Sequence, residues 1–150
     1  MRIALYQPEI AGNLGTVLRL GACLGVPVDV IEPCGFPFSE RALRRAGMDY
    51  ADAVDMARHA DWAAFRAAHH ARRLVLLTTR ADLTLVNVQF GPDDILLLGS
   101  ESAGVPDHVH AAADLRVRIP LRTGFRSLNV AVAAGIALGE ALRQTGTYPE

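Results

Sequence analysis

The amino-acid sequence predicts a three-layer α/β/α domain built on a parallel sheet. Three observations carry this. Apolar β-type runs alternate with helical patterns, the order expected of βαβ units. The runs are short and continuous rather than alternating, so each strand is buried on both faces, as in a parallel sheet. Loops rich in Gly, Pro and Ser follow the carboxyl ends of three predicted strands, where open α/β sheets bind ligands.

The first strand is Arg2–Tyr6 (RIALY), followed by a helix over Leu14–Leu24. Val28–Ile31 is the second strand, and a helix over Ser39–Ala46 follows, with Ser39 as its N-cap. Asp61 caps a third helix, Trp62–His70. Three further strands are expected at Leu74–Thr78, Ile95–Gly99 and Leu115–Ile119, with room for a short helix after Val105. A last helix runs from about Ser127, its expected N-cap, to Gln144, and Gly146 stops it. No repeat or interdomain linker interrupts the 150 residues, which are read as a single domain spanning 1–150.

Composition narrows the function. The chain is 51% hydrophobic and carries a net charge of −1, which excludes a disordered chain or a strongly basic nucleic-acid tail. All 15 basic residues are Arg, so every cation is a planar fork suited to phosphate or carboxylate, and none is a low-pKa amine. Cys23 and Cys34 cannot form a disulfide framework or a four-ligand zinc site, and Cys23 is expected to be buried on the first helix. Most of the five His are expected at the surface. His69/His70 and His108/His110 lack the spacing of a helical zinc pair, so no metal is expected. The longest apolar or small run, Val130–Gly139, is too short to span a membrane, and MRIALYQPE is not a secretory leader. A cytoplasmic, reduced setting is expected.

The three loops are Gln7–Gly15 (QPEIAGNLG), Gly99–Pro106 (GSESAGVP) and Pro120–Asn129 (PLRTGFRSLN). In the first, Asn13 and Gly15 open a helix whose N–H groups suit an anion, with Arg19 further along; Arg19 is equally placed to be a solvated residue. Neither a dinucleotide fingerprint nor a Lys-bearing phosphate loop is present. In the second, Glu101 is placed either to bond a substrate or to cap a helix, and the pattern lacks a hydrolase nucleophile elbow. In the third, Arg122 and Arg126 flank Gly124 and suit a polyanion, while Phe125 is placed either to stack on a base or to anchor in the core. Arg41, Arg44 and Arg45 share one face of the predicted second helix and form a candidate phosphate-tracking surface. The small residues of the last helix suit close packing against another helix, within the chain or across a dimer.

These loops, in this order, resemble the SPOUT class of RNA methyltransferases, and within it the small single-domain YibK-like family. IALYQPEIAGNLGTVLRL, IEPCGFPFSERALRRAGMDY, LLGSESAGVP and IPLRTGFRSLNVAVAAGIALGEALRQ are the segments that carry the likeness. The resemblance implies S-adenosyl-L-methionine-dependent methylation of the ribose 2′-hydroxyl of the wobble nucleotide (cytidine 34 or modified uridine 34) of leucine tRNAs. It also implies a C-terminal trefoil knot and a homodimer. Another tRNA or rRNA site, or a non-catalytic RNA-binding module on the same fold, are the alternatives. Carried over by position, Leu77, Gly99, Ile119, Leu121, Ser127 and Leu128 fall at the cofactor, and Asn13, Arg19, Glu101, Ser127 and Asn129 on the reactive side. Arg19, Arg41, Arg44, Arg45, Arg122 and Arg126 are the candidate RNA contacts. Ala103, Ala131 and Val132 stand where the family commonly has larger or polar side chains. Near-neutral net charge implies weak RNA binding by one copy and a composite dimer surface.

Overall fold

The structure is a computed structural model describing residues 1–39 and 53–150. The described elements are β1 Arg2–Tyr6, α1 Ala11–Leu24, β2 Val28–Ile31, β3 Met56–His59, α2 Trp62–Ala68, β4 Leu74–Leu77, β5 Leu83–Thr84, β6 Ile95–Leu98, α3 Asp107–Ala112, β7 Leu115–Arg118 and α4 Val130–Thr145. The strands form one seven-stranded sheet in the order β3-β2-β1-β6-β4-β7-β5, and every pair is parallel. The predicted helix over Ser39–Ala46, and with it Arg41, Arg44 and Arg45, lies outside the described residues apart from Ser39.

The continuous apolar strands are buried on both faces, as expected. Ile3, Leu5, Val28, Val30, Val75, Leu96, Leu98 and Val117 face one layer, formed by α1, α4 and the segment from Leu83 to Phe90. Ala4, Tyr6, Ile31, Leu74, Leu76, Ile95 and Leu97 face the other, where Phe65 and Trp62 of α2 and Val109 of α3 cover them. The strand period of two splits each run between two cores, and three layers result.

Two strands were not anticipated from sequence. β3 and β5 are the edges of the sheet, and their residues are mostly half-buried, so neither carries an apolar run. Asp61 caps α2 as predicted, accepting the Ala64 N–H at 2.8 Å, and Gly146 ends α4 in the left-handed region at φ 65°. The N-cap of α4 is Asn129, not Ser127: the Asn129 side chain accepts the N–H groups of Ala131 and Val132. Cys23 is exposed on α1 rather than buried. Gly12, Thr16 and Cys23, all exposed, fall with Arg19 on the outer stripe of this helix, while Leu14, Val17, Leu18 and Gly21 face inward. Cys34 sits among apolar neighbours, and burial, aided by Glu32, pushes its thiol up to about 11, so it is an inert thiol at neutral pH.

Asp29 interrupts the apolar second strand and is fully buried. Its carboxylate accepts Arg2 Nε at 2.7 Å and meets Nε2 of His59 at 2.7 Å and of His69 at 3.1 Å. β1, β2, β3 and the end of α2 are thereby tied together. His59 and His69 are therefore drawn inward and His110 is half-buried, leaving only His70 and His108 exposed, against the expectation that most are at the surface. Burial raises the Asp29 carboxyl, but the Arg2, His59 and His69 hydrogen bonds outweigh it and hold it below the usual range. The contribution of this lowered group is present at neutral pH and is lost as pH falls below about 4, through its folded value. Asp29→Asn is expected to cost about 3 kcal/mol at pH 7, because it strands Arg2. Urea unfolding of both proteins across the acid range should show that difference shrinking as pH drops.

Candidate active site at the carboxyl edge of the sheet

The carboxyl ends of β1, β6, β4 and β7 lie side by side in the middle of the sheet. The loops they feed border one open cavity of about 670 Å³. Leu76, Leu77, Leu98 and Val117, at the strand ends, form its apolar floor; Thr78, Ser100, Ser102 and Asn129 are among its polar lining residues. Its size and mixed lining suit a small organic ligand.

Backbone geometry shapes the rim. Gln7, just past β1, adopts φ 46° and donates its N–H to the Ile31 carbonyl at 2.8 Å. Ser100 and Gly104 exchange N–H···O bonds of 2.9 Å in both directions, closing a tight loop after β6. Gly104 sits at φ 67°, and a Cβ on Gly99 would lie 2.4 Å from the Gly104 carbonyl carbon. Only glycine fits at Gly99, because the obstacle is backbone.

A carboxylate exchange joins the first two loops. Glu101 accepts the N–H groups of Glu9 at 2.8 Å and Ile10 at 3.3 Å, and Asn13 Nδ2 at 3.0 Å. Glu9 in turn accepts the Ser102 N–H at 2.8 Å and its hydroxyl at 2.6 Å. The Ser102 hydroxyl first, then its N–H, hold the Glu9 carboxyl below the usual range. Asn13 Oδ1 accepts Asn129 Nδ2 at 2.9 Å, while the Asn129 oxygen caps α4. The starts of α1 and α4 and the loop after β6 thus meet in one network. Ile10, at the N-cap of α1, has no side chain for the purpose; Glu101 supplies the anion there, where the helix dipole favours it.

All six predicted cofactor residues, Leu77, Gly99, Ile119, Leu121, Ser127 and Leu128, line the cavity. So do Asn13, Glu101 and Asn129. Arg19 does not; it is exposed, about 9 Å along the helix axis from Asn13. Of the third-loop arginines, Arg126 lines the cavity and Arg122 does not. Phe125 is 70% exposed and is no core anchor. Thr78, Thr79 and Arg80 also line the cavity and were missed, because nothing in that stretch resembles a turn motif. Their signal was positional: they follow a predicted strand. Ala131 and Val132 keep the backbone role, since it is their N–H groups that Asn129 caps.

Elsewhere, Asp29, His59 and His69 are the one His/Cys/Asp/Glu group among the described residues whose ligand atoms all converge within 4.8 Å. Both imidazoles approach the same Asp29 oxygen at 2.7 and 3.1 Å. Ligand atoms around a tetrahedral zinc stand about 3.3 Å apart. The Arg2 cation occupies the other oxygen. The contacts are those of a hydrogen-bonded cluster.

The cavity residues fit S-adenosylmethionine. The apolar floor suits a purine, and the glycine-only approach of Gly99 to Gly104 keeps side chains out of the rim at that point. Glu101→Gln places an amide donor against three existing donors. It is expected to cost about 2 kcal/mol in urea unfolding and to weaken S-adenosylhomocysteine binding in calorimetry. An unchanged stability would show that the network does not hold the loops.

Comparison with known proteins agrees with this geometry. The chain is 62% identical over 146 residues to a protein of Beijerinckia indica subsp. indica named tRNA (cytidine(34)-2′-O)-methyltransferase; the match covers 96% of this chain and 91% of the relative. A solved structure described as giving insight into 2-OH methylation of C/U34 on tRNA superposes with a TM-score of 0.90 at 42% identity, covering 95% of this chain and 94% of the other. An AdoMet-bound rRNA methyltransferase from Sinorhizobium meliloti superposes with a TM-score of 0.84 at 30% identity, covering 95% of this chain and 55% of the other. The model of the SpoU rRNA Methylase family matches residues 1–139. Fold and sequence agree, and the chain belongs to the SpoU rRNA methylase family.

Proposed function

We propose that the chain is an S-adenosylmethionine-dependent enzyme that methylates the ribose 2′-hydroxyl of nucleotide 34, the wobble position, in leucine tRNAs. The observation that carries this reading is the convergence of three loops on one cavity, joined through Glu101, Asn13 and Asn129. The relatives named for that reaction support the substrate. The reaction is read as cytoplasmic, since its substrate is tRNA. The whole chain, 1–150, works as one methyltransferase domain.

When bound, S-adenosylmethionine supplies a methyl group already activated on a sulfonium. Leu77, Ile119, Leu121 and Leu128 would hold its apolar surface, with Gly99 and Ile119 offering backbone groups and Ser127 a hydroxyl. The protein's share of the chemistry is alignment of the ribose oxygen, worth roughly 7–11 kcal/mol when the reactants are held near attack geometry, and disposal of its proton. Three donors already occupy most of the acceptor sites of Glu101, so Glu101 positions the loops rather than carrying the proton. Arg19 acts on the RNA side: it grips the phosphate beside the target ribose, and the hydroxyl proton passes by way of a phosphate oxygen to water.

The C-terminal segment is read as threaded into a trefoil knot. Two features support this. β7 lies between β4 and β5, strands laid down earlier. The segment from Leu85 to Phe90 lies over α4, where Gln144 bonds the Val88 carbonyl and the Phe90 N–H. The enzyme is also read as a homodimer. Val132 and Ile136 are 50% and 43% exposed one turn apart on α4, an apolar stripe suited to a second copy, and Ile10 at the start of α1 is 51% exposed.

Labelled cofactor incubated with total tRNA and rRNA is expected to mark tRNA, with mass spectrometry mapping the methyl group to nucleotide 34; label confined to rRNA would refute this substrate. Arg19→Ala is expected to leave S-adenosylhomocysteine affinity near wild type while lowering methyl transfer at least 100-fold. Equal loss of both would make Arg19 structural. Ile136→Glu is expected to give a monomer by light scattering.

A further inference from the structure

The segment from Leu115 to Gly139 contains no acidic residue and four arginines, Arg116, Arg118, Arg122 and Arg126, in a chain whose net charge is −1. Arg116 is spent on the carbonyls of His110 and Ala111. Arg118 belongs to β7, and Arg80 at the cavity is paired with Asp107, so the remaining arginines at the mouth, Arg122 and Arg126, sit on the loop after β7. At its tip the Phe125 N–H donates to the Arg122 carbonyl at 3.2 Å, and Gly124 takes φ 94°, a conformation open to glycine. This turn leaves Phe125 70% exposed, with an arginine three residues before it and another directly after. Leu121, Arg126, Ser127 and Leu128 of the same loop line the cavity, whereas Phe125 does not. The ring therefore stands beside the mouth, outside the space a cofactor would fill.

An exposed aromatic bracketed by guanidinium groups is the arrangement by which proteins hold single-stranded RNA: cations take the phosphates and the ring takes a base face. A second copy of this chain is a poorer occupant, since two such loops meeting would bring like charges together. The apolar face of α4, with Val132 and Ile136, carries no arginine until Arg143.

We propose that Phe125 is a stacking platform for a nucleobase of the substrate RNA at or next to the methylated nucleotide, with Arg122 and Arg126 on the flanking phosphates. This rests on the tRNA reading above and deepens it. Stacking tolerates any base, so Phe125 contributes grip and orientation without choosing between cytidine and uridine.

The test uses the full-length protein and an anticodon stem-loop RNA, with a series in which nucleotide 33, 34 or 35 is abasic. Phe125→Ala is expected to raise the KM for the intact RNA about 10-fold, by the same factor for cytidine and uridine at position 34. Phe125→Trp should restore it. S-adenosylhomocysteine affinity and the mass in light scattering should stay at wild-type values. One abasic RNA should bind wild type about 10-fold more weakly and lose nothing further with Phe125→Ala. A wild-type KM for Phe125→Ala overturns the proposal. So does a change of oligomeric state, which would place Phe125 in a subunit contact, or additive losses with every abasic RNA. A wild-type protein that binds the cofactor analogue but neither binds nor methylates tRNA refutes the substrate reading instead, and this proposal with it.

Discussion

The architecture of the cavity depends on one half-buried exchange of charge-assisted hydrogen bonds between two loops that are about 90 residues apart in sequence. The carboxylate of Glu101 reaches the turn into α1, and that of Glu9 reaches back to Ser102. Bonds of this kind are shorter and stronger than neutral ones. Each loop supplies the anion that the other's backbone lacks, so neither is well formed alone. Asn13 and Asn129 extend the contact to the start of α4. The orphan N–H groups at two helix N-termini are thereby used to assemble a site.

The sheet explains why these groups meet at all. Seven parallel strands present their carboxyl ends along one edge, and the central four feed every loop that borders the cavity. The apolar floor comes from the last residues of those strands. Leu77, Gly99 and Ile119 are thus held at or just past strand ends, while Leu121, Ser127 and Leu128 sit on the loop after β7. The features proposed to meet RNA are exposed: Arg19 on the outer stripe of α1 and the arginine-bearing loop after β7. That division suits an enzyme whose small ligand needs a fixed pocket and whose large ligand must be gripped by its phosphates.

Much of this was legible in the residues. The strand cores showed as apolar runs because both faces of a central parallel strand are covered. The three loops showed as Gly, Pro and Ser clusters after those runs, and all six positions that the family resemblance assigned to the cofactor border the cavity. The edge strands β3 and β5 were not legible, since half-buried strands of four and two residues leave no apolar signature. The first turn of α1 was missed for a related reason. Ile10 is no cap by its own chemistry, and the cap comes from Glu101. Ser127 looked like the start of α4 because serine is a good N-cap, yet Asn129 lies where its oxygen meets two free N–H groups.

By itself the sequence determined the layer pattern, the strand cores and the chemistry on offer: glycines where backbones touch, arginines and no lysine, an acid in the second loop. These follow from local periodicity and from residue type, which need no partner. Only the tertiary structure decided which of those groups meet. It turned Asp29, His59 and His69 from three scattered polar residues into one buried cluster, and it set Glu101 against α1 while leaving Arg19 outside the cavity. The physical reason is that hydrogen bonds and burial act over a few ångströms in space, and strand order, which no local pattern encodes, determines which distant residues come within that range.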